Sequence, residues 1–209
     1  MRRITIIDDS DIKGLANALE DAIRKHGVVI YPTDTVMGIG CSVYDEIAVE
    51  KLLAAKGRPD TKKGLPVIAE GIDAAMKVAV FDGSAKKLAR AFWPGALTMI
   101  LPVKDKKIDG RVYFNNTIGI RVPESAVARG IARAFDGLVV GTSANVSGRA
   151  PVKTYAEALA ELPQVDIFVE SKNVAQGQPS TIYDLENGRI VREGTISLEE
   201  IDTVLKRSD

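Results

Sequence analysis

Cysteine, histidine and tryptophan occur once each in these 209 residues, aromatic residues make up 5%, and no net charge is present, Lys+Arg 28 balancing Asp+Glu 28. Each scarcity removes a class of chemistry. With Cys41 alone there is no intramolecular disulfide and no thiolate metal cluster. Cys41 reads as a small core hydrophobe in a reducing compartment. His26, the single histidine, falls at the end of a helical pattern, where a cation complements the helix dipole. Ser-His-Asp and Cys-His mechanisms therefore have no base, and histidine-rich zinc sites are excluded. Neutrality argues against a chain coated in nucleic acid, though it leaves room for a local basic site. No run approaches the ~20 apolar residues of a membrane span. The start, MRRITII, meets Asp8 and Asp9 before any signal-peptide length of apolar residues accumulates, so no membrane association and a cytoplasmic location are expected. No Walker-type G-x-x-x-x-G-K-[ST] exists, and GIGCSV (Gly38–Val43) lacks the third glycine of a dinucleotide fingerprint.

What is present alternates short apolar runs with helical patterns. Strands are expected at Arg3–Asp8, Val28–Tyr31, Val67–Ala69, Ala96–Val103, Thr117–Val122, Leu138–Gly141 and Asp166–Val169. Helical spacing falls after Ser10 or Asp11 up to Gly27, and near Asp45–Ala55, Asp73–Val78, Ser84–Phe92, Ser125–Phe135 and Thr154–Leu162. TIYDLENGRIVRE carries Asn187-Gly188 between two strand-like runs, a hairpin signal. Ser197 and Glu200 form the capping-box pattern of a last helix. With no repeat, low-complexity tract or linker, residues 1–209 read as one mixed α/β domain. The hairpin makes its sheet mixed rather than purely parallel.

The chemistry-bearing residue types gather in irregular segments at strand ends, where α/β sheets commonly bind ligands. PTDTVMGIG (Pro32–Gly40) follows the second strand, GTSANVSGRAP (Gly141–Pro151) follows a buried one, and QPSTIYD (Gln178–Asp184) leads into the hairpin that Arg192 ends. AKGRPDTKKGLPV (Ala55–Val67) concentrates Lys56, Arg58, Lys62 and Lys63 among Gly57, Pro59, Gly64 and Pro66. Such a stretch cannot be one helix. Ser143 and Asn145 offer neutral donors and acceptors, and Lys56, Arg58, Arg121 and Arg192 offer cations for an anion such as phosphate.

YPTDTVMGIG, KGRP, WPGALT, TIGIRVP, GTSANVSG, PSTIYD and VREG stand in the order and approximate spacing of the YrdC-like domain, the domain of threonylcarbamoyl-AMP synthases. The resemblance runs from about Ala16 to Ile196; K-x-R together with S-x-N makes it specific. It implies a twisted, open, mixed α/β sheet flanked by helices, with a large concave basic face. It also implies a reaction that joins L-threonine, bicarbonate or CO2, and ATP into threonylcarbamoyl-AMP and pyrophosphate. A separate threonylcarbamoyl transferase then modifies tRNA to threonylcarbamoyladenosine (t6A) beside the anticodon, and contact with tRNA or double-stranded RNA is a further expectation. Carried onto this chain, the resemblance puts Thr33, Arg121, Gly141, Thr142 and Ser180 on the threonine side. Lys56 and Arg58 fall on the ATP phosphates and are the candidate catalytic cations. Thr117, Ser143, Asn145 and Arg192 fall by the nucleotide. Magnesium is expected to enter with ATP, held by phosphates and water rather than by side chains. Two positions depart from the pattern. Met37 stands where many members have tyrosine, and VIA (Val67–Ala69) lacks the histidine that many carry there. The C-terminal domain of the longer synthases is also not expected.

This inventory suits the implied reaction. An amine and CO2 form a carbamate unaided, so the nucleophile is already an anion and needs no histidine base. Bringing it to the α-phosphorus of a polyanion requires positioning and cations. An irregular cationic loop can wrap a triphosphate, so Lys56 is expected to lie on such a loop and to contribute little to the core. Lys62 and Lys63 read as a solvated rim. Two alternatives stand beside the synthase: an RNA-binding module using the same basic face, and a carbamoyl-adenylate-forming relative like those of hydrogenase maturation. The loops lack the aromatic-basic interleaving of the first; the chain lacks the acylphosphatase and zinc-finger segments of the second.

Overall fold

Strand hydrogen bonding divides the chain between two mixed sheets. The computed structural model describes residues 1–7, 9–58, 64–171 and 178–207. A five-stranded sheet has the order β1 (Arg2–Ile6), β9 (Ile167–Ser171), β2 (Val29–Tyr31), β3 (Gly38–Gly40), β8 (Thr142–Ser143). A six-stranded sheet has the order β11 (Arg189–Arg192), β10 (Thr181–Asp184), β5 (Leu97–Pro102), β6 (Thr117–Arg121), β4 (Val67–Ala69), β7 (Leu138–Val140). Both mix parallel and antiparallel pairs: β1 and β2 run parallel to β9, whereas β10 and β11 form the expected antiparallel hairpin. Gly188 takes φ +60° in its turn, a left-handed geometry that glycine adopts freely.

The helices are those the apolar spacing marks out, and the chain caps them. Asp45, Asp82, Ser125 and Thr154 each accept the N–H three residues on, opening α2 (Glu46–Ala55), α4 (Gly83–Phe92), α5 (Ala126–Ala134) and α6 (Tyr155–Glu161). Both arms of the Ser197–Glu200 capping box form ahead of α7 (Leu198–Lys206). The two remaining helices are α1 (Asp9–Arg24) and α3 (Ile72–Val78). α1 and α5 cross over the five-stranded sheet, with Leu15, Leu19, Val127, Ile131 and Phe135 buried against Val29, Tyr31 and Val169. They approach closely because α5 presents Gly130, where a Cβ would lie 2.7 Å from Ile12 Cγ2. The larger core lies among α2, α3, α4 and both sheets, and includes Val49, Leu52, Leu88, Leu97, Met99 and Ile120.

Three local points correct or refine the sequence reading. His26 is not in the last helical turn: α1 stops at Arg24, and His26 sits beyond it at φ +57°. The N–H of Gly27 reaches back to Ala22 O at 2.7 Å, the closure of a Schellman-type end. The His26 ring lies 2.8 Å from Asp45 Oδ2 and so ties that turn to the cap of α2. Secondly, β3 and β8 escape a sequence reading, since three residues of Gly-Ile-Gly and two of Thr-Ser show no alternation to detect. Thirdly, the expected mixed α/β architecture is built as two mixed sheets, and the chain passes from one to the other between β7 and β8 across Gly141 alone. At that junction the Val140 N–H donates to Cys41 O and the Gly141 N–H to Pro66 O, at 2.9 and 2.7 Å. A Cβ at Gly141 would lie 2.2 Å from Ile68 Cγ1, and one at Gly40 would lie 1.9 Å from Val140 O. Glycine at both positions lets the two sheets close on each other. Among the described residues, no helix is long and apolar enough to cross a membrane.

Candidate active site

The junction opens into a cleft of about 310 Å³. Thr33, Arg121, Gly141, Thr142, Ser143, Ser180 and Arg192 all line it, together with Tyr31, Thr35, Ile68 and Thr98. These residues come from seven separated segments. The sheet topology brings them to one place.

The PTDT segment leaves β2 and folds on its own hydroxyl. Thr33 Oγ1 donates to Val36 O at 2.7 Å and accepts the N–H groups of Thr35 and Val36, a compact Ser/Thr turn. Beneath it the Tyr31 ring is fully buried, its hydroxyl donating to Val140 O at 3.0 Å. Burial pushes the Tyr31 phenol well above its usual value. Gly38 faces that ring across β2–β3; a Cβ there would lie 3.1 Å from it.

Arg121 ends β6 and is 4% exposed. Its Nε donates to Gly95 O at 2.7 Å, Nη1 to Thr35 Oγ1 at 3.1 Å, and Nη2 to Asp34 Oδ2. The WPGALT segment supplies the first of these acceptors. Its Trp93 Nε1 closes on Leu97 O, and the Gly95 N–H donates to Val122 O, which holds the Gly95 carbonyl against the guanidinium. Burial lowers the Arg121 pKa, opposed by Asp34.

On the far side, Ser180 and Arg192 form a second unit. Arg192 Nε and Nη2 donate to Ser180 O at 3.1 and 2.9 Å, and Nη2 also meets Ser180 Oγ. Ser180 Oγ lies 2.9 Å from the buried Thr98 hydroxyl on β5. Gly194 makes this approach feasible, because a Cβ there would lie 2.3 Å from the Thr181 nitrogen. Burial lowers the Arg192 pKa.

Lys56 is the largest departure from expectation. It is the C-cap of α2 and 3% exposed, not a free loop cation. Its ammonium donates to Ser143 O, to Asn145 O at 3.1 Å and to Asn145 Oδ1 at 3.3 Å. Those acceptors match the three N–H bonds of an ammonium. Burial, then the charge of Arg58, lowers its pKa to about 8. Gly57, at φ +59°, turns the chain away after it, and the half-buried Arg58 follows. Ser143 Oγ donates to Asn145 Oδ1, and Asn145 Nδ2 donates to Val146 O and Arg149 O at 2.9 Å. Lys56 of K-x-R and the Ser143–Asn145 segment of S-x-N are therefore one hydrogen-bonded cluster. Lys62 and Lys63 lie outside the described residues.

Thr117 stands apart from the cleft. It opens β6, four residues before Arg121, and its hydroxyl donates to Phe114 O at 2.8 Å. At ~3.3 Å per residue this places it about 13 Å from Arg121 along the strand. It points to the same side of β6 as Gly119 and the buried Arg121, opposite Ile118 and Ile120. Met37 accepts the Ala144 N–H on its backbone carbonyl at 2.8 Å, and its half-buried side chain packs on the larger core. Ile68 occupies the strand that lacks a histidine and forms a cleft wall beneath Gly141.

A reading of the sequence did not single out Asp34, Thr35, Gly95, Thr98 or Gly194. The signal for Thr98 was available: a hydroxyl between the buried Leu97 and Met99 breaks an apolar strand. The glycines act by close approach, which no sequence period records.

Similar proteins carry the same arrangement of chain. Residues 21–194 match the family model Sua5/YciO/YrdC, described as "Telomere recombination". The threonylcarbamoyl-AMP synthase of Methylococcus capsulatus is 34% identical over 176 residues, covering 82% of this chain and 93% of that protein. The crystal structure of P. abyssi Sua5 complexed with L-threonine superposes with a TM-score of 0.86 at 25% identity, covering 99% of this chain. This chain spans 61% of that Sua5. E. coli YciO superposes with a TM-score of 0.84 at 25% identity, over 96% of this chain and all of YciO. By this extent of match, the chain belongs to the Sua5/YciO/YrdC family.

Proposed function

We infer that the protein is a threonylcarbamoyl-AMP synthase, which joins L-threonine, bicarbonate or CO2, and ATP into threonylcarbamoyl-AMP and pyrophosphate for t6A formation on tRNA. One observation carries the reading beyond family membership. A single cleft gathers hydroxyls and the Arg121 guanidinium, suited to a hydroxy amino acid, with a second cation, Arg192, suited to phosphates.

On the threonine side, Arg121 takes the carboxylate, with Thr33, Thr142 and Ser180 supplying hydroxyls and Gly141 allowing close approach; Arg192, bonded to Ser180, stands where the two substrates meet. On the nucleotide side, Arg58 and Arg192 face the phosphates, and Lys56 holds the Ser143–Asn145 segment while adding its charge to the field there. Thr117, farther along the Arg121 side of β6, meets the outlying part of the nucleotide. Bound threonine gives one ammonium proton to water, its amine nitrogen bonds the CO2 carbon, and a second proton leaves to water, which gives the carbamate. A carbamate oxygen attacks the α-phosphorus, the bond to the bridging oxygen breaks, and pyrophosphate departs with the electron pair. Charge builds on the leaving oxygens beside fixed cations, which need little reorganisation. Among the described residues no group of three or more His, Cys, Asp or Glu is placed to hold a metal, and the acid beside the cleft, Asp34, is paired with Arg121. This donor set fits magnesium that arrives on ATP, held by phosphate oxygens and water; bound there, it would offset phosphate charge. The adenylate then passes to a separate transferase that acts on tRNA, and the cytoplasm is the compartment where ATP, reduced Cys41 and tRNA meet.

The test is incubation with ATP, Mg²⁺, bicarbonate and each amino acid in turn, followed by mass analysis of the nucleotides. Threonylcarbamoyl-AMP in the threonine sample alone is the expected result. A carbamoyl-adenylate formed without any amino acid would point instead to the relative of hydrogenase maturation.

A further inference from the structure

The cations in and beside the cleft, Arg121 and Arg192 in its lining and Lys56 on the Ser143–Asn145 segment, divide into two kinds. Lys56 and Arg192 are held by uncharged oxygens of the Ser143–Asn145 segment and of Ser180, so their charge is not neutralised there. Arg121 is held by a carboxylate, Asp34. Arg121 has five N–H donors; three are placed on Gly95, Thr35 and Asp34, and one remains on each terminal nitrogen. Asp34 is also incompletely matched. Its Oδ2 accepts from Arg121, but its Oδ1 is buried with no hydrogen-bond partner, one of two such side-chain atoms among the described residues. A buried carboxylate oxygen without a donor is costly and calls for a water, an ion or a functional partner to account for it.

We propose that Asp34 is a specificity-determining residue that accepts the α-amino group of the amino acid substrate while Arg121 takes its carboxylate. This rests on the synthase reading above. The chemistry is complementary. A zwitterion carries opposite charges on neighbouring atoms, and the Arg121–Asp34 pair presents opposite charges side by side. For a bare carboxylate or a phosphate the nearby acid is repulsive. The compensated Arg121–Asp34 pair therefore selects the zwitterion, and the uncompensated cations, Arg192 in the cleft and Lys56 behind Ser143, favour the polyanion. Each substrate is directed to its own half. When the ammonium becomes a carbamate, two of its protons leave to solvent, the nitrogen bonds the CO2 carbon, and it keeps its third N–H for Asp34. The new anionic group then turns toward the cations.

The test is titration calorimetry on the full chain without nucleotide, using L-threonine and N-acetyl-L-threonine. The acetyl compound keeps the carboxylate and hydroxyl, lacks the ammonium, and is about as large as the carbamate the site must admit. Asp34→Asn retains an acceptor for Arg121 and removes the charge. It is expected to weaken L-threonine about tenfold or more, as for loss of a charge-assisted hydrogen bond, and to change N-acetyl-L-threonine less than about threefold. Asp34→Ser, read the same way, covers the case in which the Asn variant does not fold. Thr35→Val removes a neutral Arg121 acceptor and is expected to weaken both ligands alike. Equal weakening of both ligands by Asp34→Asn would reduce Asp34 to a support for Arg121 and overturn the proposal, as would unchanged L-threonine affinity. Failure of the unmodified protein to bind either ligand would instead bring down the synthase reading, and the proposal with it.

Discussion

Lys56 shows how far a residue's role depends on where the fold puts it. A cation among Gly and Pro reads as a solvated loop charge; at 3% exposure, with three carbonyl-type acceptors, it is a buried pin whose charge is still uncompensated. Its pKa near 8 makes a signed expectation. Because kcat/KM reports the free enzyme, kcat/KM for ATP should fall as pH rises through about 8, where the ammonium is lost. kcat should hold to higher pH, since bound triphosphate favours the proton. Stability should move the other way. A lysine whose folded pKa lies below its unfolded ~10.4 leaves the unfolded chain with more bound protons between about 8 and 10.4, and stability then rises with pH. Activity falling while the melting temperature holds or rises, measured from about pH 7, a unit below the folded value, to about 10.4, the unfolded one, separates this from general alkaline unfolding. Lys56→Met, which fills the space without the charge, should lose about 10²–10³ in kcat/KM and abolish the limb near pH 8. A persisting limb would assign it to another group.

At the scale of elements, apolar spacing and caps made most helices and long strands legible: Asp45, Ser125, Thr154 and Ser197 all cap where their sequence context places them. The short strands β3 and β8 were not legible, because their pairing is set by tertiary closure at Gly40 and Gly141 rather than by local pattern. The candidate site was legible as motifs, not as contacts. KGRP and GTSANVSG can be read side by side, yet nothing in their spacing says that Lys56 binds Ser143 and Asn145. A pair of substitutions checks the closure. Gly40→Ala forces a Cβ onto Val140 O and should cost at least about 2 kcal/mol, or about 4–8 °C in Tm for a chain of this size. Gly14→Ala sits inside α1 with nothing within 4 Å, and should stabilise by about 0.5–1 kcal/mol. Similar shifts in thermal melts would show that the two sheets do not meet at Gly40 as described.

For the whole molecule, the composition gave neutrality, and the fold then collects cations from α2, β6, β11 and the segment after α2 at one junction between sheets. Net charge alone would not have located them. An RNA-binding module using that face should bind with steep salt dependence and be indifferent to ATP. For a synthase, ATP with threonine should raise Tm at physiological salt, and RNA should add little; the reverse pattern in a thermal-shift titration would favour the binding module. The most direct measurement is pyrophosphate release with ATP and Mg²⁺, comparing threonine plus bicarbonate, each alone, and valine plus bicarbonate. A site that hydrogen-bonds a substrate hydroxyl rejects an analogue lacking it by about 10⁴–10⁵. The account expects release only when threonine and bicarbonate are present together, with valine near background. Equal release with valine, or with no amino acid, would contradict it.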